Sequence, residues 1–118
     1  MTSIDEHRLR KYQSLQQDGE ECFVSRLIDV FLNNTPSCLS GLEDAVDLGC
    51  SASIRKNADS LSASSGIVGA VRLAELSREV RRRGDSGEVK AATAQLSLLR
   101  AEYAQVRRQL SHIRDQSL

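Results

Sequence analysis

Apolar positions recur at intervals of three and four residues along almost the whole chain, and no stretch shows the strict alternation of a half-buried strand. The pattern predicts helices throughout. Ser3-Ile-Asp-Glu6 has the form of a capping box, in which side chain and backbone satisfy each other's free donors, so a first helix is expected from there to about Gln17, before Asp18-Gly19. Phe23, Leu27, Ile28, Phe31 and Leu32 form the stripe of a second helix, ending at Asn33-Asn34. Thr35-Pro36 reads as an N-cap followed by proline at the first helical position, where a missing N–H costs nothing. The third helix this opens would carry Leu39, Leu42, Ala45 and Val46 and stop at Gly49.

A fourth helix is expected from Ser51, with Ile54, Ala58, Leu61 and Ser65 on its inner face, and Gly66 and Gly69 bracket a break. A fifth, from Ala70 to Arg83, would bury Leu73, Ala74 or Leu76, Ser77 and Val80, with Gly84 as its stop. Asp85-Ser-Gly-Glu88 is a second candidate capping box. The last helix then carries Val89, Ala92, Leu96, Leu99, Tyr103, Val106, Leu110 and Ile113, a seam that stays on one side over its whole length. Loops this short force neighbouring helices to run antiparallel. The expected architecture is all-α, an antiparallel four-helix bundle core with additional N-terminal helices, in one domain spanning 1–118. A dimerising coiled coil is the alternative use of the last seam; the short loops favour packing within the chain, and a monomer is expected.

Composition narrows the function classes. Sixteen basic and sixteen acidic residues cancel, so no global field draws the chain to nucleic acid or to an anionic membrane. No apolar run approaches the length of a membrane span, and the charged N-terminus lacks the apolar stretch of a signal peptide. A cytoplasmic location is the default expectation. The three cysteines, Cys22, Cys38 and Cys50, form no C-x-x-C pair and are read as buried or half-buried free thiols. The two histidines, His7 and His112, stand near opposite ends, so neither a zinc site nor any other cofactor is expected. Tyr12, Phe23, Phe31 and Tyr103 are too few for a base-stacking surface.

One stretch raises a chemical question. Residues 57–70 read N-A-D-S-L-S-A-S-S-G-I-V-G-A, and they resemble the central motif A-H-S-L-K-G-S-S of histidine-containing phosphotransfer (HPt) domains, with its following G-A and L-a-x-L helix. Ala58, Ser60, Leu61, Ser64, Ser65, Gly69, Ala70, Leu73 and Leu76 occupy matching positions. Upstream, Leu27-Ile-Asp-Val-Phe-Leu-x-x-Thr-Pro-x-x-Leu-x-x-Leu-x-x-Ala45 is similar to the second and third helices of the same family. The resemblance implies a helical bundle on which a histidine takes a phosphoryl group from a receiver-domain aspartate and passes it on. Imidazole suits that task, being nucleophilic when neutral and having an ordinary pKa of about 6.5. It also implies a lysine three residues later to pair with the phosphoryl oxygens and a glycine four residues later to admit the receiver's loops.

The chain departs at all three positions: Asp59 stands at the histidine, Ser62 at the lysine and Ala63 at the glycine. These share one helical face by the i, i+3, i+4 rule, and that face is expected to point outward. An ionised carboxylate is a weak nucleophile and would approach an anionic receiver site with no lysine to offset the repulsion. His7 and His112 read as solvated surface residues rather than substitute acceptors. For Asp59 two readings stand side by side: an ordinary exposed carboxylate, or part of a docking face where its charge crudely imitates a phosphorylated histidine. Arg55 is expected to form an i, i+4 pair with it. The run Val80-Arg-Arg-Arg-Gly84 suits a helix C-terminus, and with Arg72 and Arg78 it is alternatively a basic rim toward an acidic partner such as a receiver's aspartate cluster.

The resulting expectation is a non-enzymatic HPt-like module with Arg55, Asp59, Ser62, Ala63 and Gly66 at its partner-binding face. Its partner would be the receiver domain of a response regulator or hybrid kinase, or a sensor histidine kinase. Phosphotransfer through an unconventional acceptor and a bundle for homo-oligomerisation are the alternatives.

Overall fold

Four helices account for nearly all of the residues that the computed structural model describes, which are 4–7, 9 and 23–116. They are α1 (Phe23–Leu48), α2 (Ser51–Ile67), α3 (Val71–Asp85) and α4 (Val89–Gln116). Each packs on its chain neighbour, and α4 returns to α1, so α2 and α4 face each other across an antiparallel bundle. No strand occurs among the described residues. The all-α bundle read from the sequence is the fold.

The helix count differs from expectation, because Pro36 lies inside α1 instead of opening a new helix. A proline within a helix costs about 3 kcal/mol, since its ring nitrogen cannot donate to the carbonyl four residues back. The buried stripe Val24, Ile28, Phe31, Thr35, Leu39, Leu42, Ala45 and Val46 nevertheless runs across it without a change of phase. Each large apolar side chain buried along that stripe returns about 1.5–3 kcal/mol, so continuity outweighs the defect. Thr35 does not cap. Its hydroxyl is buried and donates to the Phe31 carbonyl at 2.6 Å, within the same helix.

Glycines end the helices, though not all of the expected ones. After α1, the Gly49 and Cys50 N–H groups donate back to the Val46 and Ala45 carbonyls, a Schellman closure. The same bonds recur after α2 at Gly69 and Ala70, and after α3 at Gly87 and Glu88. Gly84 was the expected stop of α3, but the helix runs through it and Gly87 (φ 74°) closes the turn. Gly84 serves packing instead: a Cβ there would lie 2.8 Å from Ile54 Cγ2, so its absence lets α3 approach α2. Asp85 consequently ends α3 rather than capping α4, and the second capping box does not form.

The inner faces of α2 and α3 are as read: Ile54, Ala58, Leu61 and Ser65, then Leu73, Ala74, Leu76, Ser77 and Val80, are all buried. On α4, Ala92, Leu96, Leu99, Val106 and Leu110 are buried against the rest of the chain, so the last seam is used within the bundle. Tyr103 and Ile113 pack at its edge, whereas Val89 and Phe23 are about half exposed at the helix starts, at 50% and 48%. The thiol expectation holds for half-buried Cys38 and fails for Cys50, which is exposed where the chain turns into α2; Cys22 lies outside the described residues.

Of the expected first helix, Glu6, His7 and Leu9 are helical; Ser3 of its capping box, residues 10–17 and Tyr12 lie outside the described residues. The segment is tied to the bundle. Ile4 and Leu9 are buried, the Ile4 N–H donates to Gln109 Oε1 at 3.1 Å, and the Asp5 N–H donates to the Gly69 carbonyl at 2.7 Å. Gly69 has φ 81°, and a Cβ there would come 2.8 Å from the Asp5 carbonyl oxygen.

Two predictions follow from buried groups. Ser65 Oγ is buried with no hydrogen-bond partner, whereas the equally buried Ser77 Oγ donates to the Leu73 carbonyl at 2.8 Å. Urea unfolding should therefore show Ser65→Ala raising stability by about 1 kcal/mol and Ser77→Ala lowering it by a similar amount. Gly69→Ala forces both a strained φ and a backbone contact, and should cost about 1–3 kcal/mol in the same measurement.

Candidate functional site

On α2, the residues left outside by the buried stripe form the candidate face. Arg55, Asp59 and Ala63 are exposed, and Ser62 and Gly66 are half-buried, so the five expected site residues do share an outward surface. The polar partners of Arg55, Asp59 and Ser62 come from α3. Asp59 does not pair with Arg55 along the helix. Its Oδ1 accepts from Arg81 Nη1 on α3 at 2.7 Å, while Arg55 Nη2 reaches Asp85 Oδ1 at 3.5 Å. Arg81 Nε also lies 3.7 Å from Asp85 Oδ2. One turn further along, Arg78 Nη1 donates to Ser62 Oγ at 3.0 Å.

The reason is the antiparallel register of α2 and α3. It sets 55 against 85, 59 against 81 and 62 against 78, a ladder of polar pairs across the helix–helix seam. A cross-seam partner at hydrogen-bonding distance outcompetes an i+4 neighbour on an exposed surface. With the Asp59 and Arg81 side chains 49% and 38% exposed, such a pair is worth about 0–1 kcal/mol. The ladder therefore positions charges rather than holding the fold together.

The arginine run divides by the side each residue faces. Arg81 enters the ladder, whereas Arg82 and Arg83 both pair with Glu79, and Arg83 also with Glu88. Hydrogen bonding to Arg82, followed by that to Arg83, holds the Glu79 carboxyl below the usual glutamate range. Arg82 and Arg83 thus end α3 in the manner expected of a helix C-terminus, and Arg78 and Arg81 face α2. Arg72 is directed toward Glu102 of α4, at 3.9 Å, and takes no part.

On its other side the face runs into a groove of about 180 Å³ between α1 and α2. Ser60, Ser64 and Ile67 line it from α2, and Val30, Asn34 and half-buried Cys38 from α1. Val30 and Ile67 are 57% and 48% exposed, an apolar margin that sequence reading missed because helical stripes reveal only the face that is fully buried. Burial pushes the Cys38 thiol up, and its Sγ donates to the Asn57 carbonyl at 3.2 Å. Neither histidine approaches Asp59 along α2. His7 is exposed in the N-terminal segment, and His112 is exposed on α4, the helix across the bundle.

The Hpt domain model matches residues 26–109, which spans most of α1, all of α2 and α3, and most of α4. The chain belongs to the Hpt domain family. A solved relative, the crystal structure of histidine-containing phosphotransfer protein B (HptB) from Pseudomonas aeruginosa PAO1, is similar over 97% of this chain and 96% of its own, with a TM-score of 0.85 and 26% identity. No curated protein sequence matches significantly. As an Hpt domain, the chain has a role in two-component, phosphotransfer-related signalling, where such domains interact with receiver or kinase domains. Among the described residues no helix is long and apolar enough to cross a membrane, and no group of three or more metal-ligating side chains gathers.

The Glu79 shift fixes a sign for acid stability. A carboxyl held below its unfolded value contributes stability that is complete above the ordinary glutamate value of 4.5 and is lost as pH falls through the lower folded value. Thermal melts across that acid range should therefore show a shallower fall for Glu79→Gln than for the wild type, with the two curves closest at the acid end.

Proposed function

We propose that this Hpt domain acts without accepting phosphate. It is a non-catalytic module, placed in the cytoplasm, that docks on a receiver or sensor-kinase domain and modulates it. The observation that carries the reading is the face of α2: the position resembling the phospho-accepting histidine is Asp59, and its carboxylate is engaged by Arg81 at 2.7 Å. A carboxylate committed to a guanidinium is a poorer nucleophile than a free one, and the scaffold around it offers no imidazole in its place.

Two further features support docking. On the C-terminal side of Asp59, exposed Ala63 and half-buried Ser62 and Gly66 are small and leave room for another protein's loops to approach the helix. The margin of Val30 and Ile67 beside them supplies apolar area of the kind that a protein partner covers. Arg55, Asp59, Ser62, Ala63 and Gly66 are the proposed contact residues, now joined by Arg78, Arg81 and the groove margin.

Incubation with a phosphorylated receiver domain, followed by an acid-labile phosphate assay, should leave this protein unlabelled. Label on His7 or His112, lost when that residue is replaced, would overturn the non-catalytic reading. Titration against purified receiver and kinase domains of the cognate two-component systems should give binding in the micromolar range. Ala63→Arg places a long charged side chain on the small-residue face and should weaken that binding by about tenfold or more, with unchanged helicity by circular dichroism.

A further inference from the structure

The family motif carries its cation on the same helix as its acceptor, three residues on, and here that position is Ser62. The charge is nonetheless present in space. Arg78 crosses from α3 and donates to Ser62 Oγ at 3.0 Å, and Arg81 crosses one turn away to Asp59. The two guanidinium groups are not equivalent. Arg81 is neutralised by Asp59 and, more distantly, by Asp85. Arg78 is exposed, and among the described residues its partner is a neutral hydroxyl. Across the ladder, the guanidinium groups of Arg55, Arg78 and Arg81 face the carboxylates of Asp59 and Asp85, so the network carries a surplus of one positive charge within a chain of zero net charge.

An uncompensated guanidinium beside a paired one is a device for recognising anions. Each planar fork offers several donors, and only part of that capacity is used here. The surplus also changes what Asp59 does. A carboxylate held on Arg81 is not a bare negative charge presented to a partner. It already occupies the contact that an incoming carboxylate would make, and so acts as a competitor.

We infer that Arg78 and Arg81 of α3 recognise clustered carboxylates on the partner protein, with Asp59 as an internal counter-ion that the partner displaces from Arg81. This rests on the docking reading given above and assigns the chemistry of that face. The partner it fits is a receiver domain presenting an acidic pocket to α2. Binding then depends on an arginine pair supplied by α3 and weakens as ionic strength rises.

The test is a set of calorimetric titrations of the wild type, Arg78→Gln, Arg81→Gln and Asp59→Asn against the receiver and kinase domains of the cognate systems, at low and at raised salt. All three substitutions are on the surface, and circular dichroism melts verify that each variant is folded. Each arginine substitution should weaken receiver binding by about tenfold, as expected for a bond to a charged group. Asp59→Asn removes the competitor and should tighten binding by about three- to tenfold. Repeating the titrations with a receiver whose clustered carboxylates are replaced by amides should abolish the difference between wild type and Arg78→Gln.

The possible failures are distinct. Receiver binding that is unaffected by either arginine, or weakened by Asp59→Asn, overturns this inference and leaves the docking reading standing. The second result would restore Asp59 as the charge that the partner reads. Binding to kinase domains alone overturns the choice of receiver. A wild-type protein that binds neither class overturns the docking reading and this inference with it.

Discussion

The register between α2 and α3 is the constraint from which the site follows. A three-residue turn, Val68–Ala70, closed by Gly69, fixes where α3 starts relative to the end of α2. The missing side chain at Gly84 then lets the far end of α3 close on Ile54. With both ends of the seam set, positions 55 and 85, 59 and 81, and 62 and 78 are brought opposite one another. The exposed ladder contributes little to stability, since such pairs are worth about 0–1 kcal/mol each. Its geometry is inherited from the buried Ile54, Ala58, Leu61, Leu73, Leu76 and Val80 beneath it.

Much of this fold is legible in the sequence because burial imposes a period. The inner faces of α2 and α3, and most of that of α4, can be written down from spacing alone, for a side chain that leaves the stripe also leaves the core. The misreadings come from residues whose local meaning depends on what lies across a seam. Thr35-Pro36 has the local chemistry of a helix start, yet the apolar stripe on both sides is in phase and tertiary burial overrides it. Gly84 has the local chemistry of a helix stop, yet three residues later Gly87 supplies the positive φ, and Gly84 is needed as space. Phe23 is half exposed because the buried stripe of α1 starts one residue later, at Val24, and Val89 is half exposed as the first residue of α4, although Ala92 one turn on is fully buried.

The site was legible to a different degree. Which α2 residues face outward follows from the same periodicity, and the departure of positions 59, 62 and 63 from the family motif can be read directly. Their partners could not be, because pairing rules along a helix reach only three or four residues, whereas the partners of Asp59 and Ser62 lie 22 and 16 residues away. Reading along α2 alone therefore gives a face stripped of its cation. Two arginines on the adjoining helix correct that impression, and the run in which one of them sits also serves the helix end, so its composition hides two sets of contacts.

The crossing arginines have a consequence for how readily the chemistry of this face can change. Because the cations are anchored on α3, the side chain at 59 can be exchanged without dismantling the electrostatic surroundings that a phosphoryl group requires. An imidazole there would sit beside guanidinium groups that disfavour its protonation and so preserve its nucleophilic form. The same groups would be placed to bind a phosphoryl oxygen once it arrived. The residue at 59 and the arginines that reach it are encoded on separate helices, so a substitution at 59 leaves the cations of α3 in place.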